Sequence, residues 1–236
     1  MTDTVVYPIP DHFSEAHVTP ERYHTLYRQS LDDPDTFWSE QAQLLDWHSP
    51  WSAVSETDVA KGAARWFVDA KLNVSVNCID RHLPERAHDT AIIWEGDDPD
   101  DSQSFTYQEL KIQVCRFANA LRAQGIGKGD RVCIYMPMIP EAAFAMLACA
   151  RIGAIHSVVF GGFSPEALKD RINDATCSMV ITADEGVRGG KTVPLKRNVD
   201  AALAQVDCVD SVIVVRRTGC ETDWVDGRDV WFHDAT

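Results

Sequence analysis

The sequence predicts an α/β fold: a mostly parallel, doubly covered sheet built from repeated β-α units, behind an irregular helical N-terminal extension. Three observations lead there. From residue 89 onward, short apolar runs alternate with helix-period stretches, one unit about every 23 residues. The helix-period stretches open on capping residues and several close at a glycine. Residues 1–88 lack this rhythm and are rich in tryptophan and proline.

The elements follow in order. Thr19-Pro20 and Asp33-Pro34 each place a side-chain acceptor ahead of a proline at the first helical position. Asn73 to Leu83 reads as a short helix with Val74, Cys78 and Ile79 on one side. Thr90–Trp94 reads as a buried strand. Thr106-Tyr-Gln-Glu109 is a capping box for a helix whose apolar stripe is Leu110, Val114, Phe117, Ala118 and Leu121, closed by Gly125. Strand Arg131–Met136, helix Pro140–Ile152 with Gly153 after it, and strand Ala154–Phe160 come next. Ser164-Pro165 caps a helix to about Ala175, and strand Cys177–Ala183 follows. A helix over about Pro194–Gln205 and strand Ser211–Arg216 complete the series. The expected domains are residues 1–88 and 89–236, the second incomplete.

Composition is that of an ordinary globular chain: 236 residues, 45% hydrophobic and 25% charged. The net charge of −14 repels polyanions, so neither nucleic acid nor an anionic membrane is an expected partner. Cysteines 78, 115, 133, 149, 177, 208 and 220 show no metal-finger spacing and read as reduced and packed. The N-terminus has neither a basic n-region nor an apolar h-region, and Ala142–Ala150 is too short to span a bilayer, so the expected compartment is the cytoplasm. The histidines lack ligand spacing, and no nucleophile elbow or zinc-helix motif occurs. No metal site and no catalytic residue is assigned. His156, inside an apolar strand, reads as structural.

In sheets of this kind ligands bind at the carboxyl ends of the strands. Two glycine pairs stand there. TADEGVRGGKTVPLK, residues 182–196, ends its glycine pair as a Walker A loop does, but that motif needs glycine where Glu185 stands. Arg188, Lys191, Lys196 and Arg197 put four cations within ten residues of an acidic chain, which suggests an anionic partner. Gly189 and Gly190 would let backbone approach it. The alternative is a solvated turn whose glycines serve positive φ and whose cations face neighbouring carboxylates. Gly161-Gly162, after the strand ending at Phe160, could admit an elongated ligand or simply turn the chain. Tyr135-Met-Pro-Met-Ile-Pro140 has no group for proton chemistry and reads as a strand-to-helix turn.

The stretches Tyr135–Asn173 and Val180–Asp200, with Asp33–Trp47, Asn77–Leu83 and Thr90–Asp98 upstream, closely resemble the AMP-forming acetyl-CoA synthetases (acetate–CoA ligases) of the adenylate-forming superfamily. The resemblance implies that acetate, ATP and CoA are substrates, with acetyl-AMP as intermediate and Mg2+ as the metal of ATP. It makes residues 1–88 the N-terminal region and 89–236 the first part of the AMP-binding domain. It assigns Arg188, Gly189, Gly190 and Lys191 to the nucleotide end of CoA, and Gly161 and Gly162 to its pantetheine path. Lys191 stands where the family usually has arginine, keeping charge but losing the planar fork. The family's ATP loop, acetate pocket and catalytic lysine come later than these residues. An N-terminal fragment, inactive alone and completed by the remainder of its own polypeptide, is therefore expected. The alternatives are a propionyl-CoA synthetase fragment and a non-catalytic CoA- or nucleotide-binding module.

Overall fold

A computed structural model of the chain describes residues 7, 10, 13 and 15–236. The expectation that the N-terminus carries no leader falls largely outside them. The chain divides into two compact units between Leu72 and Asn73. Residues 73–88, read above with the extension, hold to the second unit.

In the first unit, α1 (Pro20–Asp32) and α2 (Pro34–Ala42) start at the expected caps. Thr19 Oγ1 accepts from Arg22 N at 3.3 Å and Asp33 Oδ1 from Thr36 N at 3.2 Å. An antiparallel pair that the sequence did not announce follows, β1 (Ala53–Asp58) and β2 (Ala63–Val68). Its first strand, Ala-Val-Ser-Glu-Thr-Asp, carries too few apolar residues to show a period. Trp47, Trp51 and Phe67 pack against one another with centroids 5.2 to 5.3 Å apart. Trp47 Nε1 donates to Ala42 O at 2.8 Å. Part of the tryptophan enrichment serves this small aromatic cluster.

The second unit opens with α3 (Val74–Cys78) and α4 (Leu83–Arg86) around a 3-10 turn. Of the three residues expected on one face, only Ile79 is buried; Val74 and Cys78 are exposed. The backbone leaves helical angles at Ile79 (φ −126°, ψ −66°), and the stripe is cut there. Next come β3 (Thr90–Glu95) and β4 (Ser102–Thr106), an antiparallel hairpin separate from the main sheet. The strand expected to be buried at 90–94 is thus half-exposed, with Ile93 in solvent. A short apolar run does not reveal by itself how many of its faces are covered.

The remaining elements are α5 (Tyr107–Ala123), β5 (Arg131–Met136), α6 (Pro140–Ile152), β6 (Ile155–Phe160), α7 (Pro165–Ala175) and β7 (Met179–Ala183). After them come β8 (Gly186–Arg188), β9 (Lys191–Val193), α8 (Leu195–Leu203), β10 (Ser211–Val215), β11 (Asp229–Trp231) and α9 (Phe232–Ala235). The main sheet runs β11-β10-β7-β5-β6, and every pairing is parallel. β-α alternation requires this, since parallel neighbours need a crossover. The capping box is formed: Glu109 N lies 3.2 Å from Thr106 Oγ1 and Thr106 N 2.8 Å from Glu109 Oε2. The predicted stripe of α5 is buried. β7 and β10 are buried at every position, as strands covered on both faces must be. Edge strand β6 shows Ile155, Val158 and Phe160 to solvent, and His156 is exposed rather than buried in an apolar strand. Among the described residues no helix is long and apolar enough to cross a membrane. The seven cysteines are free.

One polar network joins α3 to the sheet helices. Asn73 caps α3 through Val76 N (3.2 Å), and its amide donates to Ala150 O and Arg151 O at 3.1 Å each, satisfying carbonyls at the end of α6. Arg151 forks onto Asp80 at 2.7 and 2.8 Å, and Lys111 Nζ reaches the same carboxylate at 3.0 Å. The Arg151 guanidinium holds the Asp80 carboxyl down at about 2, from an ordinary 3.8. A carboxyl depressed on folding contributes stability above its ordinary value and loses it as pH falls through the folded one. Asp80→Asn is expected to lower the unfolding free energy near neutral pH by roughly 1–3 kcal/mol. The gap to wild type should close as pH falls below 3.8 toward about 2, which urea unfolding across that range measures.

Candidate functional site

The loops after β5, β6, β7 and β10 leave the sheet at its carboxyl edge and surround a cleft of about 700 Å³. β5 supplies Tyr135, whose ring is buried while its hydroxyl reaches the loop after β6. The hydroxyl lies 2.7 Å from Phe163 O and 3.2 Å from Gly161 O, and accepts from Asn198 Nδ2 at 3.1 Å. Gly161 and Gly162 both line the cleft. Their lack of a side chain has a packing reason as well. A Cβ on Gly161 would stand 3.0 Å from Met136 O, and one on Gly162 would stand 2.7 Å from the Phe160 ring.

The second glycine pair sits at the tip of the β8–β9 hairpin. Gly189 and Gly190 have φ of 57° and 72°, which a two-residue turn with both central residues left-handed demands. A Cβ at either would meet nothing within 4 Å, so backbone conformation fixes these glycines and the space beside them is open. Arg188 and Lys191 are paired directly across the turn. Like charges opposite each other on a hairpin are destabilising. Both are exposed, and neither forms a salt bridge among the described residues. The Arg188 guanidinium lies 5.0 Å over the Phe160 ring, at the mouth of the cleft.

The four cations counted in this segment separate. Lys196 is buried, with Nζ 2.7 Å from Asp200, 2.9 Å from Asp229 and 2.9 Å from Asp223 O. Arg197 opens on a second, strongly polar cavity of about 1000 Å³ at the ends of β7, β10 and β11. Only Arg188 and Lys191 serve the hairpin.

Sequence reasoning missed three contributors. Met136–Ile139 forms an apolar wall of the cleft, although the stretch reads as a turn without chemistry. Arg217 lines the same cleft, stacked 5.0 Å over Trp94 and paired with Asp101 at 2.6 Å. Asp184, 1% exposed, accepts from Glu185 N (2.7 Å), Arg217 N (2.8 Å), Thr218 N (3.2 Å) and Gly219 N (2.7 Å). An aspartate closing an apolar strand is the only trace of that role in the sequence. The geometry is that of a binding cleft: the exposed Arg188, an aromatic face and an apolar wall, with Lys191 across the hairpin turn from Arg188. Burial pushes the Cys149 thiol up to about 12 and the Cys177 thiol to about 11, so both stay protonated and inert.

A family model described as AMP-binding enzyme matches residues 79–235. The chain belongs to the AMP-binding enzyme family. A second model, the acetyl-coenzyme A synthetase N-terminus, matches residues 23–78, so the two together account for nearly the whole chain. Among curated members of this family, acetyl-coenzyme A synthetase 2 of Pseudomonas putida is 68% identical over 94% of this chain and 34% of its own length. Acetyl-coenzyme A synthetase of Alkalilimnicola ehrlichii is 61% identical over the full chain and 37% of its own length. The chain thus spans little more than a third of the curated relatives it matches. Acetoacetyl-CoA synthetase from Streptomyces lividans has the same fold, with a TM-score of 0.82 at 28% identity, over 95% of this chain and 34% of that one.

Asp184→Ala removes the acceptor of four backbone N–H groups at once. Unfolding free energy should fall by roughly 2–4 kcal/mol. Amide exchange at residues 217–219 should accelerate more than exchange in β5, which hydrogen-exchange mass spectrometry resolves.

Proposed function

We propose that this chain is the N-terminal part of an acetate–CoA ligase, which makes acetyl-CoA from acetate, ATP and CoA through acetyl-AMP. Within it, Arg188, Gly189, Gly190 and Lys191 bind the nucleotide end of CoA, and Gly161 and Gly162 border its pantetheine arm. The observation that carries this reading is the Arg188–Lys191 pair, two like charges held opposite each other on the hairpin, with Arg188 beside an aromatic ring and an apolar wall. A phosphate between them would turn repulsion into attraction, the arginine plane and Phe160 offer adenine a stacking face, and the wall suits the pantetheine. Acetate is favoured over propionate because the similar proteins above are named acetyl-coenzyme A synthetases.

On this reading ATP, Mg2+ and acetate are held by other parts of the full polypeptide, where ATP activates the carboxylate by forming the acyl-adenylate. The residues described here do the binding: they orient CoA and keep its nucleotide end fixed while the thiol reacts elsewhere. A cytoplasmic location accords with the free, dispersed cysteines, and the charge of −14 disfavours nucleic acid and anionic membranes as partners.

Arg188→Ala combined with Lys191→Ala should raise the Kd for CoA at least about tenfold in calorimetric titration of the 236-residue chain. Unchanged affinity would overturn the assignment. A second measurement concerns the chain's share in catalysis. ATP–pyrophosphate exchange with acetate should give no turnover from these residues alone, and measurable exchange would place the adenylation chemistry here after all.

A further inference from the structure

The hairpin tip is met by a carboxylate from another loop. Asp97 Oδ2 accepts the Gly190 N–H at 3.3 Å, and Gly190 lies between the two cations of the hairpin. The turn that carries Asp97 is firmly built. Gly96 N donates to Asp101 O at 2.7 Å, Asp101 N to Asp98 O at 2.9 Å, and Asp100 N to Asp98 Oδ1 at 3.0 Å. A Cβ on Gly96 would stand 2.9 Å from Asp101 Oδ2 and 3.2 Å from the Trp94 ring, so crowding sets that glycine. The far end of the turn is tied by Asp101 to Arg217 at 2.6 Å. Asp97 is therefore presented to the hairpin from a braced support.

We propose that Asp97 competes with the ligand phosphate at the hairpin tip, because its carboxylate holds the Gly190 N–H that the phosphate would take and so weakens binding of phosphorylated ligands. The inference rests on the CoA reading above. A backbone N–H flanked by Arg188 and Lys191 is a natural phosphate donor. It serves one good acceptor at a time, and in the unliganded protein that acceptor is Asp97. A fixed negative charge about 4 Å from an incoming one costs about 1 kcal/mol in water, a factor of about five in affinity. That cost falls on a ligand whose phosphate takes the Gly190 N–H, and a ligand without the phosphate leaves Asp97 in place.

Calorimetric titration of the 236-residue chain with CoA, and with dephospho-CoA lacking the 3′-phosphate, tests this. Asp97→Asn keeps the shape and removes the charge. Its Kd for CoA should fall about fivefold, while that for dephospho-CoA should shift less than about twofold. Asp100→Asn removes the same charge from the same turn without touching Gly190 or the Asp98 carboxylate that braces the turn, and should leave both constants in place. An unchanged or weaker CoA affinity in Asp97→Asn overturns the inference, and so does an equal gain in Asp100→Asn, which would mark a general charge effect. If wild type fails to bind CoA, the CoA reading falls and this inference with it; CoA binding without the Asp97→Asn gain overturns this inference alone. Circular dichroism establishes that each variant is folded, and Asp97→Ser carries the test should the amide variant not fold.

Discussion

One buried carboxylate ties the working edge of the sheet together. Asp184 stands where β7 ends, and its two oxygens gather backbone N–H groups from its own loop and from the loop after β10. Its own N–H donates to Val215 O at 2.9 Å, and its carbonyl accepts from Lys196 N at 3.2 Å. The β8–β9 hairpin therefore leaves the sheet from a fixed point. So does the loop that carries Arg217 to Trp94. Orphaned N–H groups at a buried strand end would otherwise be costly, and an anion is the acceptor that satisfies several at once. Without it the two loops would have no common reference, and the cleft walls on either side would not be held to each other.

Charge in this chain is divided between structure and ligand contact by burial. Lys196 lies among Asp200, Asp223 and Asp229, and Arg228 Nε closes the cluster on Asp229 at 2.6 Å. A buried ammonium is tolerable only when its donors are all used, and here they are. Arg188 and Lys191, five to eight residues earlier, have the opposite environment: both are exposed, and Arg188 lies over the Phe160 ring. Equal charges close in sequence thus do unrelated work, and hydrogen-bond geometry separates them.

That division marks the limit of what the chain discloses before it is folded. The parallel sheet, the capping box at Thr106 and Glu109, the stripe of α5 and the caps at Thr19, Asp33 and Ser164 were legible, because each is fixed by a short period or a local hydrogen bond. The hairpin β1–β2 was not, since β1 is too polar to show a period, and 90–94 was read as a buried strand although it pairs with β4 outside the main sheet. Both errors come from pairing, which is non-local. At the candidate site, the cations and glycines stood out by composition. Arg217, Trp94 and Asp184 did not, because their importance arises from contacts between residues far apart in sequence. The glycines were noticed for a partly different reason from the one the structure gives: left-handed backbone at 189 and 190, crowding by Met136 and Phe160 at 161 and 162.

Edge strand β6 has a bearing on how the protein behaves in solution. Its outer rim is unpaired among the described residues, and Ile155, Val158 and Phe160 stand on it open to water. Such a rim can template pairing with another molecule. An acidic surface keeps copies apart only as far as the Debye length reaches, about 10 Å at 0.1 M salt and about 3 Å at 1 M. Colloidal stability of this polypeptide therefore depends on ionic strength: dilute buffer keeps the sticky borders separated, and concentrated salt lets them meet.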